Sequence, residues 1–190
     1  MKRLLCLLVS ILLVLSFAAC ESDDDDRRSS RKSKKEQTVA SSDYEDAIDL
    51  LMKVFACDIS EKELKSMFPA VCWDYFEEEG QSFEEIYDMV SSDLENSKAY
   101  LEEEFGEDFY IKYEIVSKEK VDEDDEDYLD FIEEIEDMYN IESLAYGDCY
   151  MLEIEASMVG SNKEDPTEMS YHVIEIDGVW YVAEILLEGF

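Results

Sequence analysis

The chain is poor in residues that break or loosen a backbone. Six glycines and two prolines stand among 190 residues, so long regular elements are expected. Positive charge is scarce: 16 Lys and Arg face 51 Asp and Glu, a formal charge of −35. A surface of that sign repels phosphate and excludes nucleic acid as a partner. Histidine occurs once, at His172. The five cysteines (Cys6, Cys20, Cys57, Cys72 and Cys149) match no zinc or redox spacing, so no metal and no cofactor is implied.

Apolar residues are not lacking. Hydrophobic residues make up 46% of the chain and aromatic ones 12%, which supports a packed core where high charge alone would suggest disorder. The length suits one domain plus extensions.

The N-terminus reads as an address. Met1, Lys2 and Arg3 precede an apolar run from Leu4 to Ala19, the length of a signal-peptide core and short for a membrane span. Phe17-Ala18-Ala19-Cys20 then resembles the lipobox of a bacterial lipoprotein of the Gram-positive type, with Phe17 where leucine is usual. The resemblance implies cleavage after residue 19 and a diacylglycerol group on the Cys20 thiol. It implies a chain held on the extracytoplasmic face of the cell membrane. Two acyl chains give durable attachment at about 0.8 kcal/mol per buried methylene.

Residues 20–42 read as a disordered tether. Asp23 to Asp26 form an acidic block, followed by Arg27, Arg28, Arg31, Lys32, Lys34 and Lys35; such blocks are usually solvated coil. The basic block either touches anionic lipid or acts as a plain spacer, and the spacer is favoured. From Ser42 onward eight lysines face 45 acidic residues, so that part alone carries −37.

Residues 43–190 read as one domain. Ser42/Glu45, Ser60/Glu63 and Ser82/Glu85 have capping-box spacing ahead of helical periodicity. These predict helices over about 43–56, from Ser60, over 70–79 and over 83–105, the last two stopped by Gly80 and Gly106. Phe109, Ile111, Tyr113 and Ile115 then alternate with polar residues, predicting a strand. A helix follows over about 128–139. Tyr150 to Met158 alternate again, "GSNKEDP" (160–166) reads as a turn, and Tyr171–Ile176 and Val179–Leu187 read as strands joined at Asp177-Gly178. Segregated helices and strands predict an α+β fold, with N-terminal helices packed on a curved antiparallel sheet of about four strands.

That order, the long helix and the closing hairpin "IEIDGVWYVAEI" resemble the nuclear transport factor 2-like, or cystatin-like, cone. The resemblance implies a sheet wrapped around a long helix, with a pocket at the open end. Its members include isomerases, dehydratases and many non-catalytic binding or dimerising modules, so fold alone does not assign function.

Candidate chemistry is sparse. His172 shares a strand face with Ile174 and Ile176 and so faces inward; a lone histidine without a partner motif reads as structural. Glu184 alternates with Trp180 and Val182, which makes it the candidate buried carboxylate if that face is inward. Trp73, Trp180, Tyr150 and Tyr181 are core aromatics or pocket walls. The candidate pocket is therefore His172, Trp180, Tyr150 and Glu184. Asp122, Asp124, Glu126, Asp130 and Glu133 have the spacing of a calcium loop, but Asp127 stands where the sharp turn needs glycine, and a helix N-terminus is the better reading. Cys57 and Cys72 either pair or remain small buried residues. The expectation is a lipid-anchored, non-catalytic binding module for a protein or small-molecule ligand. The alternatives are a cone-pocket enzyme using His172 and a carboxylate, or a structural homodimer.

Overall fold

The computed structural model describes residues 43–141 and 144–188. The expected signal peptide, lipidation site and tether lie outside them. The order of elements is α1 (Tyr44–Phe55), α2 (Glu61–Ser66), α3 (Ala70–Glu78), α4 (Phe83–Phe105), β1 (Tyr110–Val121), α5 (Glu126–Tyr139), β2 (Tyr146–Val159), β3 (Glu164–Ile176), β4 (Val179–Val182) and α6 (Ala183–Glu188). The strands form one antiparallel sheet in the order β1-β2-β3-β4. The fold is α+β, as expected.

Two of the three capping boxes form in full. Ser60 and Glu63 exchange side-chain and backbone bonds at the start of α2, and Ser82 and Glu85 do so at α4. Each satisfies helix-end N–H groups that have no partner within the helix, worth about 1 kcal/mol. At α1 the cap is Asp43, whose carboxylate accepts the Glu45 N–H at 3.5 Å; Ser42 lies outside the described residues. The hairpin signal is also correct. Asp177 and Gly178 have φ of 53° and 79°, the pair of left-handed residues a two-residue turn needs.

Each face of the sheet is covered by different helices. On one, Leu152, Ile154, Val173 and Val182 pack against Ala47, Ile48, Leu51 and Met52 of α1. On the other, Cys149, Ile174 and Ile176 join residues of α2, α3, α5 and α6 in the main core. Two tyrosines stitch α5 to its neighbours: Tyr139 donates to the Leu186 carbonyl at 2.7 Å and Tyr128 to the Gly147 carbonyl at 3.0 Å.

The helices laid on the sheet are therefore α1 on one face and α5 with its neighbours on the other, not the long helix that the cone resemblance implies. Four residues of α1 are buried on one stripe, whereas the 23-residue α4 buries only Ile86, Leu101 and Phe105. The end of α4 packs on Met158. There the Asn162 N–H donates to the Phe105 carbonyl at 2.9 Å. Gly160 presses on the same carbonyl, which a Cβ would meet at 2.1 Å.

Two further expectations change. The last strand ends at Val182, and the chain turns helical at Ala183. "AEILLE" is built from strong helix formers, and the helix buries Ala183 and Leu186 completely. The turn over 160–166 contracts, because β3 already starts at Glu164 and carries Pro166 opposite Ser157. Proline is tolerated there because β4 pairs only with Val173–Ile176, which leaves the outer side of Pro166 without a neighbouring strand among the described residues. Of the two readings of the cysteines the unpaired one holds: Cys57, Cys72 and Cys149 are free thiols. Cys57 lies beside Leu101 and Phe105, whereas Cys72 is in the main core.

Candidate functional site

The four candidate pocket residues separate into two pairs on opposite faces of the sheet. Tyr150 pairs with Val173, and Trp180 with Glu175, which places both rings on the α1 face. His172 pairs with Met151 and faces the other way.

His172 does meet a carboxylate, and it is Glu184. The two oxygens of Glu184 accept the His172 backbone N–H at 2.9 and 3.1 Å, and Nδ1 lies 2.8 Å from Oε1. The contact arises at the end of the β3–β4 ladder. Its last pair is Val173–Val182, and beyond it α6 supplies a side chain where a longer β4 would have supplied backbone. Glu184 thus reaches His172 from a helix, not by the strand alternation expected of it, and does not share a face with Trp180. Phe131 of α5 covers the imidazole, with ring centroids 4.7 Å apart. The side chains keep 20% and 29% of their surface exposed, so the pair is lodged at an edge and not enclosed in a cavity.

On the α1 face three rings gather. Tyr150 and Trp180 stack at 5.4 Å with an interplanar angle of 28°, reaching toward each other from β2 and β4. Tyr44, the first residue of α1, closes on both, 6.0 Å from Tyr150 and 6.1 Å from Trp180. All three are half-buried. The ammonium of Lys118 lies 3.6 Å from the Tyr150 ring centroid and 4.0 Å from that of Tyr44, within the range of a cation–π contact. Behind it, Tyr150 donates its hydroxyl to Asp148 at 3.1 Å, and Lys120 pairs with the same carboxylate at 2.6 Å. The Lys120 and Tyr150 bonds hold the Asp148 carboxyl below its usual range. Burial, followed by the charges of Glu45 and Asp43, pushes the Tyr44 phenol up.

A bulge builds this arrangement. The β1–β2 register shifts between Ile115 and Ser117, and Val116 is extruded to solvent. Past the bulge the alternation changes phase, so Lys118 and Lys120 come to the face that Ile111, Tyr113 and Ile115 occupy before it. Simple alternation in the sequence places them on the other face. Tyr44 was equally hidden, since its position beside a helix cap signals only a helix start.

The other candidates are structural. Trp73 is buried, donating its indole N–H to the Lys65 carbonyl at 2.9 Å. Tyr181 packs against the main core, where burial pushes its phenol up to about 12. A shallow cleft between Leu50, Met67, Trp180, Tyr181 and Ile185 holds no more than a water molecule. Asp122–Asp125 form a turn and Glu126 begins α5, so the calcium-loop spacing is spread along a helix instead of wrapping one point. Among the described residues no group of three or more His, Cys, Asp or Glu is placed to hold a metal, and no helix is long and apolar enough to cross a membrane. No protein-family model matches the chain, and neither a curated protein nor a solved structure is significantly similar to it.

Proposed function

We propose that this protein is a lipid-anchored, non-catalytic binding module on the extracytoplasmic face of a membrane. The lipobox-like Phe17-Ala18-Ala19-Cys20 supports the anchor. The observation that carries the binding reading is the cluster of Tyr44, Tyr150 and Trp180, half-exposed with a cation on the rings of Tyr44 and Tyr150. Aromatic faces left partly open beside a few placed polar groups are how proteins hold small ligands. Fractionation of cells that express the chain tests the anchor. The intact chain sediments with membranes and Cys20→Ser is released; continued sedimentation of the variant contradicts the anchor.

A second reading is an enzyme that uses His172 as a base and Glu184 to orient it, which the 2.8 Å contact favours. It stands lower because such a base needs a positioned substrate proton, and the pair sits at an edge. If it is correct, His172→Ala abolishes whatever turnover the protein has, and an unchanged rate removes the reading.

A further inference from the structure

The domain from Ser42 onward holds eight lysines among 45 carboxylates. Lys53, Lys112, Lys120 and Lys163 are paired with acids. Among the described residues Lys62, Lys65, Lys98 and Lys118 make no ion pair, and of these Lys118 alone lies on two rings, those of Tyr44 and Tyr150. Asp148, two residues before Tyr150 and bonded to its hydroxyl, pairs with Lys120, and Lys118 acts on it through its charge without an ion pair. An ammonium surrounded by excess carboxylate that settles on two aromatic faces marks those faces as a competent cation site.

We infer that the Tyr44–Tyr150–Trp180 wedge is a recognition site for an alkylated ammonium group, with Lys118 as a tethered internal occupant that a ligand displaces. The proposal deepens the binding reading above and rests on it. Three features give the chemistry. The rings of Tyr44 and Tyr150 are tilted by 50° with centroids 6.0 Å apart, a V whose walls face one cation at once. Asp43, Glu45 and Asp148 lie around it and favour positive charge. The net charge of the domain raises the local concentration of cations and excludes anionic ligands. Lysine is the weaker occupant for such a wedge, because its compact ammonium is strongly hydrated, whereas a methylated ammonium presents apolar surface to the rings, as in aromatic cages for quaternary amines. Lys118 hangs from β1 and its side chain is exposed, so a ligand can displace it from the rings. The same ammonium chemistry occurs in free solutes and in choline-type lipid headgroups.

Titration of the full mature chain with tetramethylammonium chloride, against sodium chloride at equal ionic strength, tests the site by calorimetry and by indole fluorescence. Saturable binding is expected for tetramethylammonium alone. Lys118→Gln, which removes the internal competitor, tightens it about tenfold. Tyr150→Ala abolishes binding in the Lys118→Gln background, and Tyr150→Phe, which keeps the ring, retains it. In a second arm Cys20→Ser is sedimented with phosphatidylcholine vesicles. Co-sedimentation that depends on Tyr150 assigns the site to headgroups as well, whereas a response to the free cation alone assigns it to solutes. Identical responses to the two salts in Lys118→Gln, or binding that survives Tyr150→Ala, overturn the proposal. A silent titration with membrane retention intact overturns the cation assignment and leaves the anchored module standing.

Discussion

Glu184 holds His172 at two places, accepting its backbone N–H and meeting its Nδ1. One carboxylate thus closes the end of the β3–β4 ladder and fixes a ring. Glu184→Ala takes the acceptor from a half-buried backbone N–H, and the expected loss is about 1–3 kcal/mol in urea denaturation. Glu184→Gln keeps an acceptor and should lose less. Equal losses for the two variants would contradict this role.

Acid stability should carry a signature of Glu63. Desolvation pushes its carboxyl up, but bonds from Lys53 and Ser60 outweigh that and hold it at about 2. A depressed value in the folded state stabilises above the unfolded-state value of about 4.5, and this contribution is lost as pH falls toward about 2. The stability difference between wild type and Glu63→Gln should therefore be full at neutral pH and shrink across that window. A difference independent of pH from 6 to 2 would refute the assignment.

Among the described residues the hydroxyl of Tyr146 is buried without a hydrogen-bond partner, and burial pushes its phenol well up. Removing an unsatisfied polar atom while keeping the ring stabilises, so Tyr146→Phe should raise stability by up to about 1 kcal/mol. Thermal denaturation reads the sign; a fall in the midpoint means the hydroxyl is satisfied in solution.

Thiol chemistry should be slow in the folded state. Desolvation pushes Cys57 up to about 11 and Cys72 and Cys149 up to about 12, leaving little thiolate at neutral pH. Alkylation followed by peptide mass spectrometry should find all three protected in the native chain and labelled in denaturant. Rapid native labelling of Cys72 or Cys149 would show that the main core opens.

Local signals carried much of this fold into the sequence. Ser60/Glu63 and Ser82/Glu85 name two helix starts, Gly80 and Gly106 two ends, and Asp177-Gly178 a hairpin, because each acts through neighbours a few residues away. What stayed hidden depends on distant partners. "AEILLE" alternates well enough for a strand, and its helix propensity wins because a helix buries Ala183 and Leu186 against the core. The long α4 looked central from its length, yet the compact stripe of α1 won the sheet. At the site, Tyr150 and Trp180 were legible as aromatics worth following. Tyr44 and Lys118 were not, since one extra residue at Val116 decides which way Lys118 points.

The unequal lengths of the strands have a consequence for crowding. Among the described residues no strand lies beside the outer side of β3 from Glu164 to Tyr171, and at the far edge β1 is interrupted by the Val116 bulge. Open ladders of this kind invite neighbouring copies to zip together. Pro166 withholds a donor from one rim and the bulge breaks the repeat on the other, so these molecules should remain separate individuals at densities where smooth-edged sheets would fuse into fibres.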